Sequence, residues 1–437
     1  MITHDEEIGV VYYPAKGAVS TTTPRHAQVM EQVWQDYLED RLSQEDRAAF
    51  EGYVERSFAD KPDLPMMKYT NLLETRTLGR LEILVANKCN LNCRYCYAHG
   101  GDYDCESQVL TPESAKKYLR ALFSERYISV DVVMLFGGEP TIAPDTIRTI
   151  CEFFEQYSSL GLIEKMPIFT MVTNGTLIDE ELAQTIQKYN IRVTVSVDGP
   201  PEINDKLRVD KAGNGTFAKI ERVIRLLQKV KNPPKALEVT YTSLHQELEY
   251  SSKDIRQYLQ KYFGVNGKDV LIEECSYNGY DDSLVCKYSN NQRRDEGQCK
   301  LQSIQLRRAL SRHSFCDLSC GAGNYLIVLF PNGEIYPCHH FVGCSEFLIA
   351  RFDGKSFDFN NYLIARKKLA PSHKLLNSAC NDCWLKAICR VCAASILLSN
   401  NSNNLGKGTC EDMRLYYKTQ FLALAKEKQQ SEEDIQT

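Results

Sequence analysis

From residue 76 to 275, short apolar runs alternate with stretches whose apolar residues recur at helical spacing. The runs are LEILVA (81–86), VVMLF (132–136), PIFTMV (167–172), RVTVSV (192–197), LEVTYT (237–242) and VLIEE (270–274). Helical spacing covers 112–124, 145–158, 179–189 and 216–231. Strand then helix, repeated, predicts a parallel sheet buried on both faces. Six such units fit a partial (β/α)6 TIM barrel better than a closed eight-unit one.

The flanks read differently. Residues 1–75 predict a small, mainly helical unit. Val29, Met30, Val33, Trp34, Tyr37 and Leu38 recur at helical spacing. Ser43 caps a second helix, with Phe50, Tyr53 and Val54 on one face. One strand, IGVVYY (8–13), stands out, and ADKPDLPMM (59–67) reads as a linker. Residues 276–312 are polar and Asn/Asp-rich, a loop or cap. Residues 313–412 are rich in glycine and cysteine and poor in long elements, so something besides a core must hold them, and metal is the obvious candidate. Residues 413–437 predict a helix that ends in a fraying polar tail.

Composition narrows the function. The net charge of −5 gives no basic field of the kind that marks nucleic-acid binders. The longest apolar runs are too short to span a bilayer. MITHDEEIGVVYY carries acid where a signal peptide carries Lys or Arg, so the expectation is a cytoplasmic protein. Seventeen cysteines in a 437-residue chain are unusual, and a disulfide framework does not suit a reducing cytosol. None occurs before Cys89, and nine lie between Cys316 and Cys410. Clustered cytosolic cysteines point to metal or iron–sulfur ligation.

The densest chemistry follows the first strand. VANKCNLNCRYCYAHGG (85–101) spaces Cys89, Cys93 and Cys96 as Cys-x3-Cys-x2-Cys. Ligands gather at the carboxyl ends of strands in parallel α/β folds. Three thiolates on a [4Fe–4S] cluster leave the fourth iron open, which suits chemistry rather than structure. A zinc site that borrows His99 or Cys105 is the plain alternative.

CNLNCRYCYA resembles the signature of the radical S-adenosylmethionine (SAM) superfamily, with Tyr95 as the aromatic before the last cysteine. The resemblance implies that SAM binds the open iron and is cleaved to a 5′-deoxyadenosyl radical. Gly137-Gly138-Glu139-Pro140, at the end of the second strand, matches the motif that receives the SAM amino group. TNGT (173–176), with Asn174, and SVDG (196–199), with Ser196, resemble the strand ends of the family's peptide-modifying branch. Arg208 stands where relatives pair an arginine with the SAM carboxylate; a solvated surface charge is the other reading.

The C-terminal third resembles the SPASM extension, which holds two auxiliary [4Fe–4S] clusters. Cys320-x12-Gly-x4-Cys338 is followed by Cys380-x2-Cys383-x5-Cys389-x2-Cys392 and then Cys410. The last short spacing is two residues where the extension has three. Carried over by position, Cys320, Cys338 and Cys392 hold the first auxiliary cluster, with Cys316 as fourth ligand and Cys344 as its competitor. Cys380, Cys383, Cys389 and Cys410 hold the second. Zinc ribbons are the alternative for such Cys-x2-Cys pairs.

The resemblance implies a maturase of ribosomally made precursor peptides that installs an oxidative crosslink (thioether, ether or carbon–carbon). It draws electrons from a flavodoxin- or ferredoxin-type reductant. The alternative within the family is a formylglycine-forming sulfatase maturase, which has an acidic base where this chain has His339. His339 is therefore a candidate base, and second-shell packing is its other reading. A non-catalytic iron–sulfur carrier or sensor is the alternative of another class, and it has no need of Gly137–Pro140 or Arg208. Leader-binding modules of such maturases are three-stranded winged helices; residues 1–75 show one clear strand, IGVVYY, which is the edge for strand addition if this unit binds a leader, and a plain helical cap on the barrel is the other reading.

Overall fold

The computed structural model describes residues 1–57, 72–275, 281–286, 306, 310, 320–398 and 405–436. The chain divides into two compact units that do not follow its order. One combines Met1–Tyr69, Arg294–Cys320 and Ala370–Thr437; the other combines Thr70–Arg293 and Gly321–Leu369.

In the first unit, β1 (Ile2–His4), β2 (Gly9–Tyr13) and β3 (Ala18–Thr22) form an antiparallel sheet in the order β1-β2-β3. Helices α1 (Pro24–Leu38) and α2 (Gln44–Ser57) follow. One strand was expected here and three are present. β1 and β3 escaped notice because they are short, and ITH and AVSTT carry little apolar signal. A correction follows: IGVVYY is not an edge. β2 is paired on both sides, with Val10 opposite Thr3 and Thr21. Tyr12 and Val10 are buried with Leu385, Ile388, Tyr417 and Phe421. The last two lie on the long helix Leu405–Gln436, where Tyr417 Oη donates to Ile388 O at 3.1 Å.

The second unit is built on a ten-stranded sheet. Its strands are β4 (Thr77–Ala86), β5 (Ser129–Gly137), β6 (Ile168–Thr173), β7 (Arg192–Ser196), β8 (Ala236–Tyr241), β9 (Val270–Glu274), β10 (Leu326–Leu329), β11 (Glu334–Tyr336), β12 (Ala350–Phe352) and β13 (Phe357–Asp358). The order is β13-β12-β11-β10-β4-β5-β6-β7-β8-β9. β4 to β9 run parallel, so all six expected strands are present, in sequence order. The helices between them include α3 (Pro112–Glu125), α4 (Pro144–Ser159), α5 (Glu180–Lys188), α6 (Pro201–Leu207) and α7 (Phe217–Lys229). FPNGEIYPC forms the expected hairpin, β10 to β11, with Gly333 at φ 85° in the turn. β10 then pairs parallel to β4 and extends the sheet beyond the six strands.

Period-two alternation sorts the strand residues. Leu81, Ile83, Val133, Leu135, Val193, Val195, Leu237 and Val239 are buried in the main core with α3, α4, α5 and α7. The residues between them, Glu82, Leu84, Met134, Phe136, Ser196 and Glu238, therefore point to the opposite face of the sheet. Phe154 on α4 anchors the core, with ring centroids 5.1 Å from Phe123 and 5.9 Å from Phe169. Phe154→Ala is expected to lower stability by about 3–5 kcal/mol, read as an earlier midpoint in urea unfolding.

Candidate active site at the strand ends

The cysteine loop leaves the C-terminal end of β4, and its neighbours hold it by backbone hydrogen bonds. Gly138 N donates to Ala86 O at 2.8 Å and Glu139 N to Lys88 O at 2.9 Å. Asn92 N donates to Val209 O at 2.8 Å and Arg94 N to Leu207 O at 3.0 Å. These last two bonds bracket Cys93 on one side and Arg208 on the other. The loop is thus registered against Gly137–Pro140 and against the segment that carries Arg208.

Cys89, Cys93 and Cys96 are all partly buried. Cys89 Sγ accepts from Leu91 N at 3.4 Å and from Asn174 Nδ2 at 3.6 Å. Burial, reinforced by Glu139, pushes the Cys89 thiol up to about 12. Burial pushes Cys93 up to about 11, against the pull of Arg208. Free of metal these thiols keep their protons, so metal binding must displace them.

Glu139 is buried, and burial pushes its carboxyl above the usual range against the pull of four hydrogen bonds. Oε1 accepts from Thr141 N (3.0 Å), Thr141 Oγ1 (2.5 Å) and Thr173 Oγ1 (2.6 Å). Among the described residues, Oε2 accepts a single hydrogen bond, from Asn174 N at 2.7 Å. A carboxylate oxygen has at least two lone-pair sites, so Oε2, with one donor against three on Oε1, keeps capacity for an ammonium. Asn174 also donates to Asn90 Oδ1 at 3.0 Å, tying β6 to the cysteine loop. Pro140 opens a short turn, Pro140–Ile142, and Ser196 ends β7 on the face of Glu238.

Arg208 is no surface charge: it is buried, 7% exposed. Its Nη1 donates to Tyr95 Oη at 2.5 Å and lies 3.8 Å from Asp198 Oδ1. Its Nε is buried and has no hydrogen-bond partner among the described residues. Burial works against the guanidinium charge, but Tyr95, Cys93 and Asp198 outweigh it and keep Arg208 protonated.

The radical SAM superfamily profile matches residues 83–249. Those residues are a radical SAM domain. Every strand end described above from β4 to β8 lies within it. Radical SAM cyclopropyl synthase TigE of Paramaledivibacter caminithermalis is 26% identical over 217 residues, 46% of this chain and 43% of its own length. A cysteine-type anaerobic sulfatase-maturating enzyme of Clostridium novyi is 25% identical over 390 residues, 78% of this chain and 95% of its own length. The structure of native anSMEcpe with bound AdoMet superposes with a TM-score of 0.58 at 19% identity, covering 80% of this chain and 99% of that one. That likeness confirms the partial-barrel fold. A radical SAM domain implies SAM and a [4Fe–4S] cluster. The three thiols of the radical SAM domain, the spare capacity of Glu139 Oε2 and the orphaned Arg208 Nε suit the cluster, the SAM ammonium and the SAM carboxylate respectively.

Several groups near the site carried no role in the sequence reading. Glu82 is one, and its signal was a lone charge in an otherwise apolar strand. It is buried on β4, and its Oε2 lies 3.0 Å from His339 Nδ1. His339 packs 4.8 Å from Phe136 and 4.4 Å from His340, between ring centroids. Burial and the neighbouring His339 push His340 down to about 4. Tyr97 packs tilted against His340, with ring centroids 5.3 Å apart.

The C-terminal cysteines divide between the units. Cys338 and Cys344 belong with the radical SAM domain, Cys320 and Cys392 to the other unit, and Cys316 lies outside the described residues. Cys380, Cys383, Cys389 and Cys410 all fall in the first unit. Burial raises the Cys380 thiol, and Cys383 and Cys410 add to the rise. Burial likewise raises Cys389, with Cys383 and Cys380 contributing. Cys383 and Cys410 thus lie near Cys380, and Cys380 and Cys383 near Cys389. Among the described residues, no helix is long and apolar enough to cross a membrane.

Proposed function

We propose that this chain is a radical SAM maturase that installs an oxidative crosslink in a ribosomally made precursor peptide. The observation that carries the radical chemistry is the registration of the cysteine loop against Glu139 and Arg208. When bound, SAM and the cluster supply a 5′-deoxyadenosyl radical that takes hydrogen from a substrate carbon. The chain's own part is to bind and orient. Cys89, Cys93 and Cys96 ligate the cluster, Glu139 Oε2 receives the SAM ammonium, and Arg208 receives its carboxylate. Tyr95, Gly137, Gly138, Pro140, Asn174 and Ser196 shape that site.

Peptide chemistry is supported by the SPASM-like cysteine pattern and by relatives named as maturases. Cys380, Cys383, Cys389 and Cys410 are assigned to one auxiliary cluster. Cys320, Cys338 and Cys392, with Cys316 or Cys344, are assigned to another. His339 is the candidate base, oriented by Glu82. The leader peptide adds a strand to the three-stranded sheet, at β3 rather than at the central β2. A flavodoxin- or ferredoxin-type protein supplies the electrons.

The match to the Clostridium novyi enzyme over most of both chains favours a second reading, formylglycine formation. Co-expression with each short open reading frame found beside this gene, and with a sulfatase peptide, separates the two. The crosslinking reading expects a mass loss of about 2 Da per link, from two hydrogens. An inverted centre at unchanged mass, or oxidation of a sulfatase peptide instead, refutes it. Full iron loading with SAM and reductant but no 5′-deoxyadenosine refutes the enzyme reading altogether.

A further inference from the structure

The SAM reading gives Arg208 a carboxylate to bind but does not say what aims the guanidinium. Backbone register fixes only where the residue starts: Asn92 N to Val209 O and Arg94 N to Leu207 O place it opposite Cys93. The side chain still has several torsions to settle.

A chain of three groups settles them, with Asp198 and Arg208 buried and Tyr95 partly buried between them. Asp198, at the end of β7, is fully buried. Its Oδ1 accepts from Thr240 N at 3.0 Å, its backbone N donates to Asn204 Oδ1 at 3.2 Å, and its carbonyl O lies 2.8 Å from His245 Nε2. The carboxylate is therefore anchored from β8, and the Asp198 backbone from α6 and His245. Its Oδ2 accepts from Tyr95 Oη at 2.5 Å. A phenol has one proton to give. With that proton committed to Asp198, the Tyr95 oxygen is left to accept, and Arg208 Nη1 donates to it at 2.5 Å.

A guanidinium presents donors along more than one edge. Here the Nη1 corner is taken, and Nε is buried without a partner among the described residues. We infer that Asp198 and Tyr95 are positioning residues for the SAM carboxylate: they pin Arg208 by Nη1 and turn its Nε edge toward the carboxylate. The inference rests on the SAM reading of this site. It also gives the aromatic of the cysteine motif a task for its hydroxyl, which a phenylalanine cannot perform.

The test uses the full chain, reconstituted anaerobically, with SAM and decarboxylated SAM titrated by calorimetry. Tyr95→Phe and Asp198→Asn are expected to weaken SAM binding by about tenfold, as for a misaligned charge-assisted pair. Decarboxylated SAM should bind both variants as it binds the parent, and iron content should not change. Equal weakening of both ligands, or no weakening of SAM by Tyr95→Phe, overturns the inference. Arg208→Ala tells the two levels apart. If Arg208→Ala leaves SAM affinity intact, the carboxylate reading of Arg208 fails. If Arg208→Ala weakens SAM and Tyr95→Phe does not, only the positioning role fails. Should Asp198→Asn not fold, Tyr95→Phe decides alone, since it removes one oxygen and no charge.

Discussion

Alanine at Cys89, Cys93 or Cys96 is expected to abolish 5′-deoxyadenosine formation and to remove about four iron per chain, the content of one cubane. Three thiolates leave no redundancy, because the open iron is the one that SAM needs. Two thiolates in a loop cannot hold a cubane with that iron free. The C-terminal iron should survive, because Cys380, Cys383, Cys389 and Cys410 belong to the other unit. Iron assay, electron paramagnetic resonance of the reduced protein and chromatography of the nucleoside products check the three parts of this result. Retention of SAM cleavage by any one of the variants contradicts the ligand assignment.

Gly138→Ala is expected to damage the site almost as severely without touching a ligand. A Cβ there would lie 2.5 Å from Lys88 O and 2.7 Å from Gly101 Cα. Both are backbone atoms, so no side chain can swing away. Relief requires moving Lys88, and with it Cys89. Overpacking of this kind typically lowers stability by about 1–3 kcal/mol. Thermal melting should register that, and SAM affinity should fall by at least about tenfold as the loop loses alignment, the scale expected when a positioning contact is displaced. Gly161→Ala is the control. It is strained by a φ of +67° but meets nothing within 4 Å, so it should lower stability slightly and leave SAM binding alone.

Glu82 shows one limit of reading the site from sequence. It stands out in LEILVA as a charge in a buried strand, but nothing local says that His339 lies opposite, 257 residues away. IGVVYY shows another. Its apolar alternation marks a strand, but edge or centre depends on neighbours whose own patterns are faint. Cys338 and Cys380 are a third case: both belong to one cysteine-rich stretch of sequence, yet they fall in different compact units.

What the sequence determined by itself is what local chemistry dictates. Period two and period 3.6 place β4 to β9 and the helices α3, α4, α5 and α7. Strand-end loops follow directly, so the three cysteines, Gly137–Pro140 and Asn174 could be assigned to one end of a parallel sheet. Burial of Arg208, its opposition to Cys93 and its bond to Tyr95, 113 residues away, were decided by the tertiary structure. Hydrogen bonds between distant backbone segments leave no periodic trace in either segment. An arginine in a loop reads the same whether water or a buried phenol and carboxylate surround it.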